Sequence, residues 1–217
     1  MKIALIGASG FVGSHILEEL VSRGHQVTTI TRHPENIKIE NALVNKVKGD
    51  VTKTYELSIV LKGHDVVISS YNPGWTNPHI YQDFLDGAQA IQEAVKASGV
   101  KRLIVIGGAG SLFVAPGVQL VDTPQFPAEW KPGALAARDY YNILQREQDL
   151  DWTFLSPAIE MHQGTAGTRK GVYRTGKDNP VFDENGRSII SVEDLSIAIV
   201  DEAEKAAHKK ERFTVAW

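Results

Sequence analysis

The chain opens on a short run of apolar residues, Ile3-Ala4-Leu5-Ile6, after a single lysine, and then changes period: Phe11, Val12, Ile16, Leu17, Leu20 and Val21 recur at helical spacing. That change predicts a strand, a tight turn and an amphipathic helix. Further β-branched runs predict strands at residues 26–31 (QVTTIT), 43–47, closed by Gly49-Asp50, 65–68, 103–106 and 152–155. Between them, residues 80–97 place Phe84, Ala88, Ile91 and Val95 on one helical face, and residues 134–148 read as another helix. Ser191 reads as the N-cap of a later helix, with Asp194 at its third position, and residues 213–215 as a final strand. Continuous apolar strands alternating with helices predict an α/β architecture, a doubly wound parallel sheet covered on both faces.

Two stretches depart from the alternation. Residues 112–132 hold Pro116, Pro124, Pro127 and Pro132, and are expected to form a loop over the carboxyl edge of the sheet. Residues 157–190 are glycine-rich, with short strands expected near 172–174 and 188–190. Together they are expected to form a small substrate lid. No repeat, low-complexity tract or linker interrupts the 217 residues, so one domain over 1–217 is the expectation.

Composition narrows the partners. The net charge is −3 and the basic residues are dispersed, so no footprint for nucleic acid stands out. The one cluster, residues 205–212, contains Glu211 and follows Asp201-Glu202-Ala203-Glu204, as a solvated helix end would. Absence of cysteine removes thiol catalysis and disulfides and fits a cytoplasmic location. Neither a signal-peptide core nor a membrane-spanning run is expected. Seven histidines show no ligand spacing, so no metal is expected. Trp152 reads as core, whereas Trp75 and Trp130 lie in proline-containing loops where they can line a pocket.

Gly7-Ala8-Ser9-Gly10-Phe11-Val12-Gly13 sits on the first strand-to-helix turn, which is where a dinucleotide's phosphates are cradled. Gly7 would permit the turn, Gly10 the approach of the pyrophosphate, and Gly13 close packing of the helix. Ser9, Phe11 and Val12 complete the loop, and the free N–H groups of the helix N-terminus would face the phosphates. The domain is therefore expected to be a Rossmann fold binding NAD(P). At the end of the second strand, where a carboxylate would select NAD(H), stands Thr31-Arg32-His33. A guanidinium matches phosphate geometry, so Arg32 favours NADP(H) over NAD(H).

Asp50 and Val51 follow the third strand, where Asp50 can meet the adenine edge or cap the next helix. Ser69, Ser70 and Tyr71 follow the fourth, at the edge where open α/β sheets hold ligands. Tyr71 is open to two readings, a wall for the nicotinamide half or a side chain packed beneath its loop.

With these elements placed, the chain resembles the atypical short-chain dehydrogenase/reductases, specifically the NADH-flavin reductase group related to biliverdin/flavin reductases and NmrA-type regulators. The carriers are the glycine turn, Thr31-Arg32, Gly49-Asp50-Val51, Gly107-Gly108-Ala109-Gly110-Ser111, Asp151-Trp152-Thr153-Phe154-Leu155-Ser156-Pro157-Ala158 and Ser191-Val192-Glu193-Asp194. The resemblance implies NADPH binding, reduction of a planar small-molecule acceptor such as flavin or quinone, and backbone contact of Pro157, Ala158 and Ile159 with the nicotinamide carboxamide. It also exposes a departure. The conventional Tyr-x-x-x-Lys pair is missing, because Leu144 and Gln145 lie four residues beyond Tyr140 and Tyr141. Ser111, Tyr140 and Tyr141 are the catalytic candidates that remain. Ser111 can bond the acceptor or its own backbone, and the tyrosines can wall or protonate a substrate or fill the core. A non-catalytic NADP(H)-sensing protein of NmrA type and an epimerase/dehydratase-like enzyme stay as alternatives, and homodimerisation is left open.

Overall fold

The computed structural model describes residues 1–217, and in it the alternation becomes one eight-stranded sheet. The strands are β1 (Lys2–Ile6), β2 (Gln26–Thr31), β3 (Val44–Lys48), β4 (Val66–Ser69) and β5 (Arg102–Ile106). The short β6 (Phe113–Ala115) and β7 (Val118–Gln119) follow, then β8 (Asp151–Ser156), β9 (Arg174–Gly176) and β10 (Glu211–Ala216). In space the order is β3-β2-β1-β4-β5-β8-β10-β9. All neighbours are parallel except β9, which runs antiparallel to β10 at the far edge. The order reverses between β1 and β4, and such a reversal opens a crevice at the carboxyl ends of the strands.

Side chains alternate across each strand, and both faces are covered. Ile3 and Leu5 pack with Ile16, Leu17 and Leu20 of α1 (Phe11–Ser22) and with Leu195, Ala198 and Ile199 of α5 (Val192–Lys205). Ala4 and Ile6 point the other way, onto α2 (Thr54–Leu61), α3 (Ile80–Ser98) and α4 (Lys131–Leu144). This is the Rossmann-like NAD(P)-binding architecture, and double coverage explains why its central strands read as continuous apolar runs.

Local chemistry sets the ends of the elements. Ser191 Oγ accepts the Asp194 N–H at 3.1 Å, which caps α5 as the sequence predicts. Helix α4 begins at Lys131 rather than 134, because proline is tolerated in a first turn where no N–H is needed and Pro132 sits there. The expected loop at 112–132 contains the β6–β7 hairpin, whose turn is Pro116-Gly117 with Gly117 at φ +72°. Of the two short strands expected in the 157–190 stretch, one is β9, displaced to Arg174–Gly176, and the other is a single parallel bridge between Glu160 and Ile189.

That stretch is tied down at α5. The Asp194 carboxylate accepts the Lys170 N–H at 2.9 Å, the Gly171 N–H at 3.0 Å and the Trp217 indole N–H at 2.6 Å. Glu193 accepts the Gly167 N–H at 2.8 Å, and Arg169 reaches Glu19 on α1 at 2.6 Å. No helix is long and apolar enough to cross a membrane.

Candidate active site

The glycine turn follows β1 directly. Gly7 adopts φ +83°, and a Cβ there would lie 2.7 Å from the Ser70 carbonyl oxygen. At Gly13 a Cβ would lie 2.1 Å from the Gly7 carbonyl oxygen, which makes this the tightest position of the motif. Gly10 is looser, with its nearest atom at 3.3 Å, and serves as the extended N-cap of α1. No side chain caps α1 and no acidic residue lies in its first turn. The N–H groups of Phe11, Val12 and Gly13 therefore lack a protein acceptor and form an anion-binding end. Such a cradle fits a dinucleotide pyrophosphate.

Ser70 belongs to the wall of this cradle rather than to the ligand. Its hydroxyl donates to the Ile6 carbonyl at 2.9 Å and its N–H to the same oxygen at 3.0 Å, so its polar groups are spent holding β4 to β1. Ser69 is 5 % exposed and faces the gap beside Phe84 and Tyr140 inside the second core, not the surface.

At the end of β2, Ser9 and Thr31 stand hydroxyl to hydroxyl at 3.2 Å. Next to them Arg32 is exposed and its guanidinium has no hydrogen-bond or ion-pair partner. The nearby Glu35 is occupied by His33 at 3.0 Å. Asp50 closes an Asx turn, its Oδ1 accepting the Thr52 N–H at 3.0 Å and hydroxyl at 2.9 Å. Those bonds, with the field of Arg32 added, hold its carboxyl below the ordinary range. Asp50 thus caps its own turn, and Val51 packs partly buried against the core on the α2–α3–α4 face of the sheet. Tyr71 resolves to the packed reading: its hydroxyl donates to the Asp83 carbonyl at 3.0 Å, and a Cβ on Gly87 would lie 2.4 Å from its ring. Burial, then Asp83, raises its phenol.

The three catalytic candidates do not meet in the cleft. Ser111 is 2 % exposed; its hydroxyl accepts from Arg212 at 3.1 Å and its carbonyl accepts from Arg212 at 2.9 Å and Gln119 at 3.0 Å. Tyr140 is 1 % exposed, donates to Gln92 at 3.2 Å, and has its phenol driven far above the ordinary value by burial. Tyr141 packs 4.9 Å from the Phe154 ring beneath the Arg212 guanidinium, and burial raises it despite that cation. Both tyrosines lie on the sheet-facing side of α4, about 15 Å along the axis from its start. The edge of the cleft is met instead by the first turn of α4, where Ala134 Cβ would lie 3.1 Å from a Cβ on Gly110.

Beyond β8, Pro157 and Ala158 are buried. The Ile159 N–H already reaches Ser188 Oγ at 3.4 Å, leaving the exposed Ile159 side chain at the surface.

A family model described as NAD(P)H-binding matches residues 7–205, from the cradle through α5. The chain belongs to this NAD(P)H-binding family. Within it, the chain fits the atypical short-chain dehydrogenase/reductases. The uncharacterized protein YwnB of Bacillus subtilis is 39% identical over 218 residues, covering 99% of this chain and 98% of its own. A Bacteroides thetaiotaomicron structure provisionally named an epimerase is 46% identical with a TM-score of 0.92, over 100% of this chain and 96% of that one. One from Streptococcus pneumoniae, provisionally named an NADH-flavin reductase, is 35% identical with a TM-score of 0.85, over 100% and 99%. Mouse sterol-4-alpha-carboxylate 3-dehydrogenase, decarboxylating, is 32% identical over 180 residues, 77% of this chain but 47% of the mouse protein.

In this NAD(P)H-binding protein, sequence reading passed over Gly133 and the triple acceptance by Asp194. Gly133 falls between the expected loop, which ends at Pro132, and the expected helix from Ala134, and no local pattern marks its contact with Trp75. Asp194 looked like a capping residue, and its partners at 170, 171 and 217 are invisible to local pattern.

Proposed function

We propose that the protein is a cytoplasmic NADPH-dependent oxidoreductase that reduces a planar acceptor such as a flavin or quinone. The observation that carries this is the unpaired Arg32 guanidinium beside the Ser9 and Thr31 hydroxyls, one strand from an uncapped glycine cradle. Arg32 would hold the ribose 2′-phosphate, with the two hydroxyls beside it, while the N–H groups of Phe11, Val12 and Gly13 would hold the diphosphate. A reduced nicotinamide held by these residues would supply a hydride, two electrons with one proton, and water would supply the second proton that a flavin or quinone takes up. The chain has then to orient the two rings and exclude water from between them. The buried tyrosines and the engaged Ser111 favour such an acceptor over a ketone or aldehyde, whose reduction to an alcohol calls for a positioned proton donor.

The same burial supports a second reading, a dinucleotide-sensing protein without turnover. An epimerase or dehydratase reading has no acid/base pair in the cleft to support it. Calorimetric titration with NADPH and NADH tests the cofactor assignment. NADPH should bind about tenfold or more tighter in the wild type, and the Arg32→Ala variant should bind the two equally. Equal affinities in the wild type would overturn the NADPH preference.

A further inference from the structure

Two tryptophans stand on the carboxyl edge with little covering them. Trp75, in the loop from β4 to α3, is 57 % exposed, and Trp130, at the start of α4, is 48 % exposed. The indole N–H groups of Trp152 and Trp217 donate to protein oxygens, at 3.3 Å and 2.6 Å, whereas those of Trp75 and Trp130 have no protein acceptor. Large aromatic side chains left in water forfeit the burial they would gain in a core.

Gly133 shows that the placement of Trp75 is built in. Its backbone does not have a positive φ, so nothing in the chain path calls for glycine, and a helical glycine costs about 1 kcal/mol relative to alanine. A Cβ there would lie 2.7 Å from Trp75 Cζ3 and 2.9 Å from Ile80 Cδ1. The missing side chain lets the indole lie against the first turn of α4. Trp130 is three residues earlier, on the same side of that turn.

The position relative to the cradle identifies the occupant. The loop bearing Trp75 leaves β4, the strand beside β1, and the first turn of α4 abuts residues 109–111, the turn that follows β5. Both tryptophans therefore stand on the carboxyl edge of the sheet, the edge at which an open α/β sheet holds its ligand beside the strand-order reversal. We propose that Trp75 and Trp130, with Gly133 making room, form the seat for the planar ring of the hydride acceptor. This rests on the oxidoreductase reading for the word acceptor, but not for binding: an aromatic seat takes a planar π-system whether or not hydride moves.

The test measures riboflavin and menadione binding by equilibrium dialysis with NADP⁺ present, and their KM values with NADPH, for the wild type and for Trp75→Ala, Trp130→Ala and Gly133→Ala. Each tryptophan variant should raise the acceptor Kd about tenfold with NADPH affinity within about twofold. Gly133→Ala is the control for folding, since alanine favours the helix while its methyl displaces Trp75. It should weaken acceptor binding at unchanged or higher Tm. Loss of binding in the variants of a wild type that binds but does not turn over would support the seat and overturn the oxidoreductase reading. Wild-type Kd and KM values in all three variants, or no binding of either acceptor to the wild type, would overturn the seat.

Discussion

Gly13 is the residue on which the cradle depends most closely. A methyl 2.1 Å from the Gly7 carbonyl oxygen cannot be accommodated by a flexible neighbour, because the obstacle is backbone. Gly13→Ala is expected to lower stability by about 2 kcal/mol and NADPH affinity by about a hundredfold or more, read by thermal denaturation and titration calorimetry. Gly10→Ala, with 3.3 Å of clearance, should cost clearly less in both measurements. The glycine spacing made the turn legible in the sequence, but not this ranking, which comes from the Ser70 loop and from the turn folding back on itself. The fate of Ser111, Tyr140 and Tyr141 was equally hidden. Their partners Arg212, Gln92 and Phe154 arrive from distant elements, and no local pattern carries that information.

Among the elements, α5 and α1 clamp the lid with charge. Glu19 on α1 is 5 % exposed and bonds both Arg169 of the lid and Arg23. Burial alone would raise its carboxyl, but the two guanidiniums outweigh this and hold it below its ordinary 4.5. Asp201 on α5 is likewise lowered: burial opposes the shift, and Lys205, Arg23 and Tyr173 override it. Groups depressed in the folded state stabilise it fully above their unfolded pKa and lose that contribution as pH falls through the folded value. The Tm should therefore hold above about pH 5.5 and fall as acid takes the solution below 4.5, and Glu19→Gln should flatten that fall. An unchanged acid profile in the variant would contradict the clamp. Asp194→Asn replaces one of the two oxygens that serve three donors by a donating NH2, at a cost of about 2 kcal/mol, or roughly 4–8 °C in Tm. The element sequence itself was largely legible, because strands buried on both sides leave a continuous apolar signal. The starts of α4 and of the β6–β7 hairpin were not, since Pro132 and Pro116-Gly117 read as loop until their context shows a helix start and a tight turn.

At the scale of the whole molecule, the sheet brings together two halves of unequal definition. On the β1–β2 side stand the glycine cradle, the Ser9–Thr31 hydroxyl pair and the exposed, unpaired Arg32, all at positions that the local sequence pattern marks. On the β4–β5–β8 side, the residues expected to carry proton chemistry turn inward, and two tryptophans stand at the carboxyl edge. The arrangement suits ring-on-ring hydride transfer better than general acid catalysis. Its buried centre also includes the Arg102–Glu202 pair joining β5 to α5, with Arg102 bonded as well to Thr153 at 2.7 Å. Replacing Glu202 by Gln, which leaves that guanidinium without its counter-charge, should destabilise by about 3 kcal/mol in urea unfolding without changing the slope. The most direct test of the functional account is stopped-flow oxidation of NADPH by the wild type with riboflavin, FMN and menadione in turn. The account predicts acceptor-dependent oxidation well above the uncatalysed rate, saturating at lower concentration with NADPH than with NADH. Oxidation no faster than the uncatalysed rate with every acceptor would contradict it.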